Sequence, residues 1–181
     1  MMEEAALSPL ARWENFYVII GSSAGALTGL QFVVIALIAE GRTPGSMREI
    51  RAFGSPNIVH FCGSLLISAI MSSPWHTLRA AGVALAICGA AGVIYALNTI
   101  RHARLTTHYK PDAEDTVWYL VSPLVLHSAW TVSALLLAWN HDRALFAIAA
   151  VALLLLFLGI RNAWDSVTYI ALEHSKHNKS E

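Results

Sequence analysis

The sequence predicts an all-α integral membrane protein folded as a five-helix transmembrane bundle, N-terminus outside and C-terminus cytoplasmic. Three observations carry that expectation: an apolar composition, five charge-free runs of membrane-crossing length, and a lopsided distribution of basic residues. Of the 181 residues, 56% are hydrophobic and 13% charged, against about 45–50% and about 25% in an average soluble domain. A soluble fold this apolar has too little polar surface to cover itself. The formal net charge is zero, which argues against nucleic acid as a partner, since such domains carry an excess of basic residues.

Crossing the hydrocarbon core takes about 20 apolar residues. Segments 16–39, 56–75, 80–100, 117–139 and 144–160 are read as spans, and none contains Asp, Glu, Lys or Arg. The acidic stretch before the first, with Glu3, Glu4 and Glu14, is the opposite of a secretory signal's basic region, so that run is expected to be retained. Gly41, Pro44 and Gly45 close the loop that follows, and Ser55-Pro56 has the form of an N-cap with proline at the first helical position. The connections at 76–79 and 140–143 are tight enough for helical hairpins. Pro111 interrupts the third loop. The last span is the shortest, and Val167, Tyr169, Ile170 and Leu172 allow it to run on to about residue 172.

Five spans put Arg12, Arg79 and Arg143 on one face. The other face receives Arg42, Arg48, Arg51, Arg101, Arg104, Lys110, Arg161, Lys176 and Lys179. Basic residues are retained on the cytoplasmic side, so the richer face is predicted to be cytoplasmic. Trp13, Trp75 and Trp139 at one boundary, with Trp118 and Trp164 at the other, match the aromatic belts of a bilayer-spanning protein. No internal repeat or long linker divides the chain, so residues 1–181 are expected to form a single transmembrane domain.

The first span carries Gly21, Gly25 and Gly29 at intervals of four, a stripe that lets another backbone approach closely in lipid. The third repeats the theme with Gly82, Ala86, Gly89 and Gly92. Two such faces are expected to support packing within the bundle and assembly into a homo-oligomer. The second span aligns Asn57, His60, Ser64, Ser68 and Ser72 along one helical face. Serines can satisfy themselves on the carbonyl four residues back. His60 cannot, and an ionisable group inside a span is a functional candidate by default. His127 lies near the middle of the fourth span, one turn from Thr131, and Gln31 with Thr28 adds polarity to the first. Counted from the starts of their spans, His60 and His127 should differ in depth by about 9 Å.

Cys62 and Cys88 fall inside apolar runs and form no CxxC motif. His76 and His141 in the short loops are too few for a three-ligand metal site. No nucleophile with a base and orienting acid, no phosphate loop and no HExxH motif is present, so the sequence points away from an enzyme. No intramembrane carboxylate offers a proton relay. The reading that remains is an oligomeric channel or passive conduit for ions or small solutes, pH-sensitive through its histidines. His60, Ser64, Ser68, His127, Thr131 and Gln31 are its pathway and gating candidates, and Gly21, Gly25 and Gly29 its packing residues. It needs no cofactor. Its expected surroundings are membrane lipids and copies of itself, in a multi-pass position in the cell membrane. The alternatives are a redox subunit binding haem b through two of His60, His127 and His102, and an accessory subunit of a larger membrane complex. The run from Leu27 to Leu37 is similar to first-helix sequences of small bacterial membrane proteins, which implies the bacterial inner membrane and assigns no residue roles.

Overall fold

A computed structural model describes residues 9–40, 55–105, 113–139 and 141–177. The breakers Gly41, Pro44, Gly45 and Pro111 lie outside the described residues, as do Arg42, Arg48, Arg51, Lys110 and Lys179.

The chain opens with a 3₁₀ turn at Pro9–Trp13 and enters α1, Glu14–Glu40. Helix α2 covers Ser55–Met71, α3 Leu78–Leu105, α4 Ala113–Ala138 and α5 Ala144–His177. Helices α1, α3, α4 and α5 are long and apolar enough to cross a membrane. Helix α2 is apolar but has 17 residues, about 26 Å of rise. The protein is an all-α, multi-span membrane protein. Its outward surface is apolar: Ile19, Phe32, Ile87, Ile94, Phe146 and Phe157 are exposed, as lipid contact requires.

Most boundaries fall within a few residues of expectation, and the departures have local causes. Helix α2 stops four residues before Trp75, because Pro74 cannot continue the hydrogen-bond ladder. The Trp75 indole instead donates to the Ile70 carbonyl at 2.6 Å. Thr77 caps α3, accepting from the Ala80 amide at 3.2 Å. Helices α3 and α5 outrun the apolar segments that define them, ending at Leu105 and His177. Helix α4 begins at Ala113, four residues early, and contains a π-helical turn at Thr116–Val121. Pro123 has no amide for the carbonyl of Tyr119, and the ladder widens ahead of it, with the Ser122 amide donating to Val117.

Helix α3 packs along α4 more extensively than any other pair, and α2 lies between α1 and α5. Helices α3 and α4 run antiparallel. Gly82 faces Ala134 and Ala138, Gly89 faces Thr131, and Gly92 faces His127, so each step along α3 is matched by a step back along α4. A Cβ on Gly82 would come within 2.5 Å of the Ala138 amide nitrogen. The seam therefore closes to a separation that only glycine permits. The core combines Tyr17, Ile20, Ile67, Leu85, Leu137, Ile148 and Leu155 from all five helices.

The glycines of α1 behave differently from a single packing stripe. A Cβ on Gly21 would meet the Ser68 side chain at 3.0 Å, whereas Gly25 and Gly29 have nothing within 4 Å. Residues four apart advance about 40° beyond a full turn at 3.6 residues per turn, so the stripe winds off the α2 contact. The close small-residue interface inside the protein belongs to α3.

Candidate functional site

Helices α2, α4 and α5 turn polar side chains into the interior. On α2 the stripe predicted from spacing is buried from Asn57 through His60 and Ser64 to Ser68, while Ser72 beyond the helix end is exposed. The buried positions of α5 continue at alternating intervals of four and three from Ile148 through Ala152, Leu155 and Gly159 onto Asn162 and Ser166. The inward face of that helix thus turns polar near one end of the bundle.

Several of these groups are satisfied. Ser64 Oγ donates across to the Ala152 carbonyl of α5 at 2.9 Å, and Ser68 Oγ returns to the Ser64 carbonyl at 2.9 Å. Asn57 Nδ2 reaches Ser166 Oγ at 3.4 Å, and Ser166 Oγ donates to the Asn162 carbonyl at 2.8 Å. Thr131 Oγ1 donates to the His127 carbonyl at 2.8 Å and sits against Gly89. Thr28 bonds the Ala24 carbonyl in the same way. Gln31 is buried on the face that α1 shares among Tyr17, Ile20 and Ala24.

His60 and His127 meet. Their ring centroids are 6.2 Å apart with planes inclined at 36°, and the residues are 1% and 2% exposed. The separation in depth expected from counting persists but does not keep them apart: Asn57 bonds Ser166 of α5 and Tyr119 bonds its Asp165 at 2.9 Å, so Asn57 and Tyr119 are level and His127 lies about five residues further along than His60. The two side chains span that stagger. His127 also stacks on Trp130, with centroids 5.9 Å apart. Its ring is seated against Gly92, where a Cβ would collide with it. His102, the other candidate partner for His60, is exposed on α3, with Nδ1 2.8 Å from the Asn98 carbonyl. His76 and His141 are exposed.

No family model, curated protein or solved structure matches this chain. Its chemistry has to be read from the site alone.

The distinguishing property of that site is unmet hydrogen bonding. Both ring nitrogens of His60 and of His127, Trp130 Nε1, Asn57 Oδ1, Asn162 Nδ2 and Tyr17 Oη are buried without a partner among the described residues. A buried polar atom left unpaired costs about 1–3 kcal/mol. Eight such atoms together would cost as much as the whole stability of an ordinary domain, about 5–15 kcal/mol. The interior between α2, α4 and α5 therefore carries an unmet demand for hydrogen-bonding partners.

Sequence reasoning found the histidines and the serine stripe but missed Tyr17, Trp130, Asn162 and Ser166 as part of the same interior. The alternating spacing on α5 was the available signal for the last two. At the same end of the bundle Arg161 pairs with Glu114 at 2.7 Å and lies 4.4 Å over the Trp118 ring, pinning the π-helical turn to α5.

Proposed function

We propose that this protein is a membrane conduit for ions or small polar solutes, with its path running through the interior between α2, α4 and α5. The supporting observation is the set of unpartnered polar atoms. Asn57 and Asn162 lie at the Arg161 end, His60, His127 and Trp130 further in, and Tyr17 toward the opposite end. Neutral polar side chains separated by apolar constrictions are sufficient for a conducting path. His60 and His127 are its gating residues and Ser64 and Ser68 its support, while Thr131 belongs to the α3–α4 seam and Gln31 to the buried face of α1. On this reading the path lies within one subunit, in place of the path between subunits that a five-helix bundle of this length suggests from sequence alone.

The reading takes α2 as a fifth span. With four spans, Arg12, Arg101, Arg104, Lys110, Arg161, Lys176 and Lys179 would face Arg42, Arg48, Arg51, Arg79 and Arg143, a nearly even division. With five, the basic residues concentrate on one face, which favours an outer N-terminus and a cytoplasmic C-terminus. The open side of Gly25 and Gly29 favours a homo-oligomer joined through α1. The whole chain then acts as one transmembrane domain of the bacterial inner membrane, without catalysis of its own.

Purified protein reconstituted in liposomes is expected to carry a flux of protons, monovalent cations or a small polar solute above the protein-free background. Absence of flux for all of them across pH 5–8 would remove the reading.

A further inference from the structure

We propose that His60 and His127 are the two protein ligands of a transition-metal centre carrying at most one net positive charge. The ring spacing is the first support. A direct hydrogen bond of about 2.9–3.0 Å between two ring nitrogens brings the centroids to about 5 Å. Metal–imidazole bonds of about 2.0–2.1 Å on opposite sides of one ion, with about 1 Å from each nitrogen to its ring centre, bring them to about 6 Å. The observed 6.2 Å matches the metal-bridged spacing when one nitrogen of each ring, Nε2 for His127 because its Nδ1 lies against Gly92, faces the other ring.

The donor set is the second support. All four ring nitrogens are unpartnered and the two residues are 98–99% buried, from exposures of 2% and 1%. Imidazole suits copper, iron, nickel and zinc rather than the hard cations that take oxygen ligands. No third His, Cys, Asp or Glu joins the pair among the described residues. A centre completed by two imidazoles is therefore required, and a cuprous ion meets that requirement, whereas the close packing of Gly92, Gly63 and Trp130 on His127 leaves no slot for a porphyrin.

Charge narrows the class further. His127 lies against Gly63 and Gly92 and stacks on Trp130, and no third His, Cys, Asp or Glu groups with the pair among the described residues. A divalent ion there would keep its full charge in a low-dielectric interior, a cost that grows steeply with charge. A cuprous ion carries only one charge.

The site goes beyond the conduit reading and stands apart from it. Metal binding without flux keeps the site and sinks the conduit; flux without metal binding does the reverse. Full-length protein in detergent, titrated anaerobically with cuprous ion against a competing chelator, is expected to bind one ion per chain. His60→Ala and His127→Ala should each weaken binding at least tenfold, while His76→Ala should leave it unchanged. Silver(I), a redox-inert probe, should raise the melting temperature of the wild type and of neither interior variant, which guards against loss of binding through misfolding. A Soret band in protein from haem-sufficient cells, lost in both interior variants, would overturn the cuprous assignment. Wild-type protein that is helical yet binds no copper or silver overturns the site. So does metal binding that survives the double variant.

Discussion

The α3–α4 seam and the α2–α4–α5 interior share one helix but have opposite characters. Along the seam Gly82 and Gly89 bring backbones together until no room remains for a Cβ, Gly92 admits the His127 ring, and Thr131 bonds its own helix. In the interior, one turn away on α4, His127 and Trp130 present ring nitrogens with nothing to bond. Lipid supplies no hydrophobic drive between helices, so a membrane bundle coheres through such close seams. The polar interior works against cohesion, and a sequence retains it where it has a use.

The contrast can be broken most directly at the seam. Gly82→Val forces a branched side chain into the α4 backbone and should lower stability by about 3 kcal/mol, read by thermal unfolding in detergent. Gly25→Ala and Gly29→Ala, with nothing within 4 Å, should leave the subunit's stability unchanged or slightly raised. If they instead shift the mass of the detergent-solubilised assembly, the open face of α1 is where copies join.

At the interior the sign reverses. His60→Leu replaces two unpartnered nitrogens with carbon and should raise the unfolding free energy of the ligand-free protein by about 1–2 kcal/mol, while abolishing flux. A loss of stability of similar size would mean that the ring makes structural bonds. Ser64→Ala removes the bond to the Ala152 carbonyl and should cost about 1 kcal/mol, whereas Ser68→Ala, which breaks only a bond within its own helix, should be close to neutral. The smallest effect is expected at Arg161. Its ion pair with Glu114 is solvent-exposed on the glutamate side, so Arg161→Ala should cost about 0.5 kcal/mol and lose part of that effect in high salt.

Much of the architecture was legible in the sequence because membrane helices announce themselves through length and missing charge. The stripe on α2 was equally legible, since residues at intervals of three and four from Asn57 to Ser68 must share a face. Partner choice was not. Gly21, Gly25 and Gly29 look equivalent in sequence, but only Gly21 meets another helix, because spacing of four winds around the axis. The meeting of His60 with His127 depends on how α4 packs against α2, which no spacing within either helix states. Asn162 stands just beyond the charge-free run that ends at Ile160, next to Arg161. The unbroken continuation of α5 carries it back into the core.

The central claim is that the ring nitrogens of His60 and His127 are occupied by something other than protein. Nitrogen NMR of histidine-labelled protein in lipid bilayers, with His60→Leu and His127→Leu to assign the signals, tests it most directly. The account predicts that both rings exchange magnetisation with water or carry the shift of a metal-bound nitrogen. Two rings that are dry, metal-free and unbonded in a folded protein would contradict it.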